Sequence, residues 1–154
     1  MAEIVKAIDI AVPVEVAFDF VTNPDNGLKF MPNFTKFQAV GPLNRGKGAR
    51  VEAAGTMFGV QYKTTLEIVE FVPNRKFVSR STEGVKSNST WQFKPNPDGG
   101  TEVTFASDYT LPGSFLGRLM DKLVMEKEIE KNTIQTLVNL KKILEGRPNL
   151  RAVQ

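Results

Sequence analysis

The chain changes rhythm once. Up to residue 113, short runs of alternating apolar and polar residues are broken by proline and glycine; beyond it, apolar residues recur three and four apart with hardly a break. Period-two alternation marks strands with one buried face, and the longer spacing marks an amphipathic helix. Ile4 to Val12 reads as a first strand, with Ile8 and Ile10 on one side. Pro13 suits the first position of a helix, where a missing N–H costs nothing. Val14, Ala17, Phe18 and Val21 follow at helical spacing. Asn23-Pro24 ends that helix, because a residue before proline is pushed out of the helical region. A second short helix or turn covers Asp25 to Phe30, stopped by Pro32.

Strands are expected over Phe34–Val40, Ala49–Gly55, Phe58–Val72, Phe77–Thr82, Val85–Lys94 and Thr101–Leu111. In the longest, the even positions Phe58, Val60, Tyr62, Leu66, Ile68 and Val72 are mostly apolar and face one way, while Gln61, Lys63 and Glu67 face water. The turns Pro73-Asn74, Glu83-Gly84 and Pro95 to Gly100 join the later strands. Pro112-Gly113 closes this half, and Ser114 is placed to cap a helix. From Phe115 to Glu145 there is no proline, and Gly146 with Pro148 makes a stop. A helix of that length runs roughly 46 Å, and only the antiparallel sheet is available to cover its apolar stripe. The prediction is one α+β domain over residues 1–146, followed by a flexible tail at 147–154. A curved seven-stranded antiparallel sheet wraps around a long C-terminal helix, with two short helices after the first strand.

Composition narrows the chemistry. There is no cysteine and no histidine. That excludes disulfides, thiolate metal sites, a thiol nucleophile, Ser–His–Asp hydrolysis and the usual zinc chemistry. The net charge of +3 is mild and its basic residues are scattered, which argues against a nucleic-acid partner. No apolar run approaches the length of a membrane span, and Met1 to Lys6 lacks the pattern of a signal peptide. A cytoplasmic protein is the expectation. Gly46, Gly48, Gly55 and Gly59 read as turn residues, without the strand–loop–helix context of a phosphate-binding loop. No cofactor or metal is expected.

Several short motifs, in order and spacing, resemble the helix-grip fold of the START-like (SRPBCC) superfamily, nearest its polyketide cyclase/dehydrase and lipid-transport branch. They are Pro13-Val14-Glu15-Val16-Ala17-Phe18, Asn23-Pro24-Asp25, Phe30-Met31-Pro32, Glu70-Phe71-Val72-Pro73, Gly99-Gly100-Thr101-Glu102-Val103 and the helix end Leu140 to Glu145. The usual aromatic before the Met/Leu-Pro is tryptophan; here it is Phe30. The resemblance spans about residues 3 to 146. It implies an apolar cavity between sheet and helix, in a superfamily whose members bind lipids, hormones, polyketides or quinones and of which only some are enzymes.

Candidate cavity residues follow from strand parity. If Trp91 and Phe105 point inward, so do Ser87, Ser89, Ser107 and Tyr109, with Phe77 and Ser79 beside them. Val51, Phe58, Val60, Tyr62 and Leu66 complete that face. Small polar groups on an aromatic wall leave volume and offer hydrogen bonds, or else they sit near strand ends in water. Tyr62 and Tyr109 could orient a carbonyl or act as weak acids, or be ordinary core tyrosines. Phe30 and Met31 match the region near the superfamily's cavity entrance, as an adaptable gate or as a plug. On the long helix the predicted stripe runs Leu116, Met120, Leu123, Ile134, Leu137 and Val138, and passes through Lys127 and Glu130. Those two charges can pair across a turn. They either meet a ligand's polar end, or lie outward through snorkelling or a bend near Ile129.

Three functions are consistent with this. One is a binder of a small hydrophobic molecule such as a lipid, isoprenoid, quinone or aromatic polyketide. The second is a cyclase or dehydratase with Glu130 as base, if buried, and Tyr109 or Tyr62 as acid. The third is a protein-interaction module, such as a homodimer through a strand edge.

Overall fold

A computed structural model of the chain describes residues 2–57, 59–110 and 122–146. The expectations placed on Phe58, the Pro112-Gly113 break, Ser114, Leu116, Met120 and the 147–154 tail lie outside these residues. In chain order the elements are β1 (Ala2–Ile10), α1 (Val14–Thr22), a 3-10 turn (Pro24–Asn26), α2 (Gly27–Phe30), β2 (Phe34–Val40), β3 (Arg50–Met57), β4 (Val60–Val72), β5 (Lys76–Gly84), β6 (Lys86–Pro95), β7 (Thr101–Thr110) and α3 (Lys122–Glu145). The strands form one antiparallel sheet in the order β1-β7-β6-β5-β4-β3-β2. Strands β2 to β7 are a run of hairpins, which short turns can close. The chain's start returns to pair with its last strand, so β1 puts its helix-facing residues directly against α3.

Pro13 stands one position earlier than expected. It is the cap of α1, extended at ψ 154, and its carbonyl accepts from Val16 N at 3.1 Å and Ala17 N at 3.2 Å. The parity of β4 also departs from simple alternation. The register slips between Ile68 and Glu70, leaving Val69 without an opposite number. Such a bulge reverses which residues face inward beyond it. Phe71 therefore turns in, its ring 5.3 Å from that of Phe18, and Val72 turns out.

The solid core fills one end of the molecule. Phe18 of α1 packs edge-on against Phe71, Phe77 and Phe93, and Leu137, Leu140 and Leu144 of α3 close over the cluster. Edge-to-face pairs of this kind add about 0.5–1.5 kcal/mol each beyond the area they bury. The same end is pinned by polar bonds. Glu145 accepts from Ala11 N at 2.8 Å and from Lys141 Nζ at 2.7 Å, and Lys141 also donates to the Asp9 carbonyl at 2.6 Å. None of the described helices is long and apolar enough to cross a membrane.

The rotation of α3 corrects the predicted stripe. Its buried residues are Met125, Thr133, Thr136, Leu137, Leu140 and Leu144. At 100° per residue this face is rotated by roughly a third of a turn from the one drawn through Leu123, Lys127, Glu130 and Ile134. Those four are exposed. Two threonines make this rotation tolerable. Thr133 Oγ1 donates to the Ile129 carbonyl and Thr136 Oγ1 to that of Asn132, both at 2.8 Å. A hydroxyl satisfied within its own helix can face an apolar space at little cost.

Candidate functional site

Directly opposed residues of an antiparallel pair project to the same face, so the register arranges the helix-facing side of the sheet in rows. Phe77, Trp91 and Phe105 form one row across β5, β6 and β7. The Phe77 and Trp91 rings lie stacked at 6.2 Å, and Trp91 meets Phe105 at 4.9 Å. Two residues further along each strand, Ser79, Ser89 and Ser107 form a second row. Ser89 Oγ and Ser107 Oγ are 3.1 Å apart. A third row pairs Ser87 with Tyr109, and Ser87 N donates to Ser81 Oγ at 2.9 Å. Aromatic packing at one end thus gives way to small hydroxylated side chains. The helix stands off above them and leaves a cavity of about 260 Å³.

The other walls come from three segments. Ile129, Asn132, Thr133, Thr136 and Leu137 of α3 form the roof, and Phe30, Met31 and Asn33 close the side after α2. Phe34, Phe37, Val51, Met57, Tyr62, Thr64, Leu66 and Ile68 supply the far wall on β2, β3 and β4. Phe30 is 2% exposed, with its ring 6.2 Å from and perpendicular to Trp91. It is as much a plug against the core as a cavity wall.

Tyr62 is held at the far end. Asn33 Nδ2 donates to its hydroxyl at 2.7 Å, and its ring lies over Gly55. Gly46, Gly48 and Gly59 occupy turns with positive φ, as expected; Gly55, expected in a turn with them, lies within β3 instead. It is glycine because a β-carbon there would strike the Asn33 carbonyl and stand 2.7 Å from the Tyr62 hydroxyl. Gly55→Ala is therefore expected to displace the Asn33–Tyr62 pair and cost about 1–3 kcal/mol, measured by urea unfolding. A loss below about 0.5 kcal/mol, within the range of neutral surface changes, would contradict this account.

Burial raises the Tyr62 pKa, with the Asn33 hydrogen bond opposing it in part. The Tyr109 pKa is also raised, first by burial and then by the negative charge of Glu126. Both phenols are thus neutral hydrogen-bonding groups at ordinary pH. Among the described lining residues there is no Asp, Glu, Lys or Arg. No group of three potential metal ligands occurs among the described residues.

The cavity brings together Phe30, Met31, Val51, Tyr62, Leu66, Phe77, Ser79, Ser87, Ser89, Trp91, Phe105, Ser107 and Tyr109, all named from parity and resemblance. Val60, at the end of β4, does not line it. Leu123, Lys127 and Glu130 are the clear corrections. Leu123 is 58% exposed, and Lys127 is exposed. The Glu130 carboxylate lies 3.8 Å from Lys6 Nζ, with its side chain 56% exposed. Glu130 thus bridges helix to β1 on the outside and is not buried in the cavity. Sequence reasoning overlooked Asn33, Thr64, Ile129, Asn132, Thr133 and Thr136. On α3 the spacing 125, 129, 133, 136, 140, 144 was visible, but only to a reading that lets threonine face inward.

The family described as polyketide cyclase / dehydrase and lipid transport matches residues 1–145. No curated protein matches the sequence. Among solved structures, the chain is similar to TTHA0849 from Thermus thermophilus, at 19% identity and a TM-score of 0.77, over 93% of this chain and 97% of that one. It is similar to the Zhui aromatase/cyclase from Streptomyces sp. R1128, at 16% identity and a TM-score of 0.77, over 94% and 93%. A START superfamily protein from Mycobacterium smegmatis matches at 14% identity and a TM-score of 0.67, over 99% of each chain. At these identities the likeness is one of fold.

Proposed function

Because the chain belongs to the polyketide cyclase / dehydrase and lipid transport family, we propose that it binds a small hydrophobic molecule between the sheet and α3 without transforming it. The observation that carries this reading is the lining itself: apolar and aromatic walls, a few hydroxyls and amides, and no ionisable group among the described lining residues except two tyrosines. Apolar contact supplies affinity and the scattered polar groups fix orientation. An apolar void of about 150 Å³ accepts benzene. About 260 Å³ suits a molecule of roughly two rings, or a short isoprenoid, better than a two-tailed lipid.

A cyclase or dehydratase has one observation in its favour: Tyr62 lines the cavity and its hydroxyl is oriented by Asn33. General acid–base work favours a group whose pKa lies near the working pH, and both phenols are shifted the other way. The binder is therefore the better reading. Native mass spectrometry of the freshly purified protein is expected to show a co-purifying neutral molecule of that size. No adduct, together with no thermal shift across a panel of aromatic and isoprenoid compounds, would count against it.

A further inference from the structure

The serine row across the sheet says more about the occupant than the apolar walls do. Ser79 is 7% exposed and opens onto the cavity, and its hydroxyl makes no hydrogen bond with another described residue. No fully enclosed side-chain oxygen or nitrogen lacks a partner among the described residues, so the Ser79 oxygen reaches the open space. Beside it, Ser89 and Ser107 share one hydrogen bond. One hydroxyl proton lies between their two oxygens, and the other is left to donate elsewhere. The sheet side therefore presents donors. Two hydroxyls of the roof are opposite in character. Thr133 and Thr136 have spent their protons on helix carbonyls, so toward the cavity they offer only lone pairs.

Resting on the binding reading above, we infer that Ser79, Ser89 and Ser107 set specificity, selecting a neutral, two-ring-sized molecule that bears oxygen and rejecting its carboxylate analogue. The occupant's oxygen accepts from the serine row, and a hydroxyl on its other side donates to Thr133 or Thr136. A carboxylate of the same size could take the serine bonds but would be buried without a counter-charge. No Lys or Arg is among the described lining residues, and Lys6, on the flank, lies beside Glu130. Hydroxyl and amide donors alone do not repay the desolvation of an anion.

Three probes share one ring system: naphthalene, 2,6-dihydroxynaphthalene and 2-naphthoate. Their dissociation constants are measured at neutral pH by fluorescence titration on the full chain, with and without the double change Ser89→Ala and Ser107→Ala. The diol is expected to bind more tightly than naphthalene, and naphthoate at least about 10-fold more weakly than the diol. The double variant is expected to weaken the diol about 3- to 10-fold, the range for one hydrogen bond, and to leave naphthalene within about 2-fold. Serine to alanine changes little volume, and a thermal melt confirms that the variant is folded. Naphthoate binding as well as the diol, or a diol affinity indifferent to the serines, would overturn the inference while naphthalene binding upheld the cavity. If none of the three binds, the binding reading falls with it.

Discussion

Ser89→Leu is expected to close the cavity without unfolding the protein. Ser89 is the middle member of the serine row, with Ser79 on one side and Ser107 on the other. A leucine there projects from the sheet into the open space beneath Thr133 and Thr136. Enlarging a residue in a filled core costs about 1–3 kcal/mol through forced rotamers. Here the added carbons enter a void of about 260 Å³, so the melting temperature should stay level or rise. The occupant loses contact over about three methylene-sized groups, at about 0.8 kcal/mol each, or about 2.4 kcal/mol in all. That is roughly a 60-fold weaker dissociation constant. Titration with dihydroxynaphthalene and with naphthalene reads it directly, and both should suffer. The alanine pair discriminates between those probes, whereas leucine excludes them by volume. A well-folded Ser89→Leu protein that still bound either probe with its original affinity would place the binding site elsewhere.

The opposite separation is expected from Phe18→Ala. Phe18 is 5% exposed and packs edge-on against three other rings, and it does not line the cavity. Deleting a buried phenylalanine side chain costs about 3–5 kcal/mol, from lost transfer energy and from the hole left behind. Against a total of about 5–15 kcal/mol for a typical domain, that is a large fraction. It should lower the melting temperature by roughly 10 °C or more. The folded protein should still bind the diol with an unchanged constant. A loss under about 1 kcal/mol, below the usual range for a buried ring, would mean that this end of the molecule repacks, and that stability is not concentrated there. Together the two variants test the division of the fold into a solid aromatic end and an open hydroxylated one.

That division is partly legible in the sequence. On β6 and β7 the alternation puts Trp91, Phe105, Ser87, Ser89, Ser107 and Tyr109 on one face, and all six line the cavity. Parity succeeds there because side-chain direction in a strand follows from local covalent geometry. It fails where the geometry is not local. Nothing in the run from Leu66 to Val72 announces that Val69 is the extra residue of a bulge; that depends on how β5 pairs with it. Likewise Gly55 looks like a turn residue, since its reasons for being glycine are the Asn33 carbonyl and a tyrosine seven positions later, folded back across a hairpin.

What the sequence by itself determined was the architecture and the inward face of most strands, because periodicity, proline and glycine act within a few residues. Tertiary structure alone decided the rotation of α3. A helix has no face until something packs against it, and an apolar count favoured Leu123 and Ile134 over Thr133 and Thr136. Docking on β1 and the sheet reversed that order: the threonines carry hydroxyls already bonded to their own helix, while Glu130 finds Lys6 only when β1 lies alongside. Glu130, which the helical stripe placed at the ligand's polar end, is therefore part of an outer strut. Among the described residues the polar groups facing the cavity are hydroxyls and amides, whose burial costs far less than that of a charge.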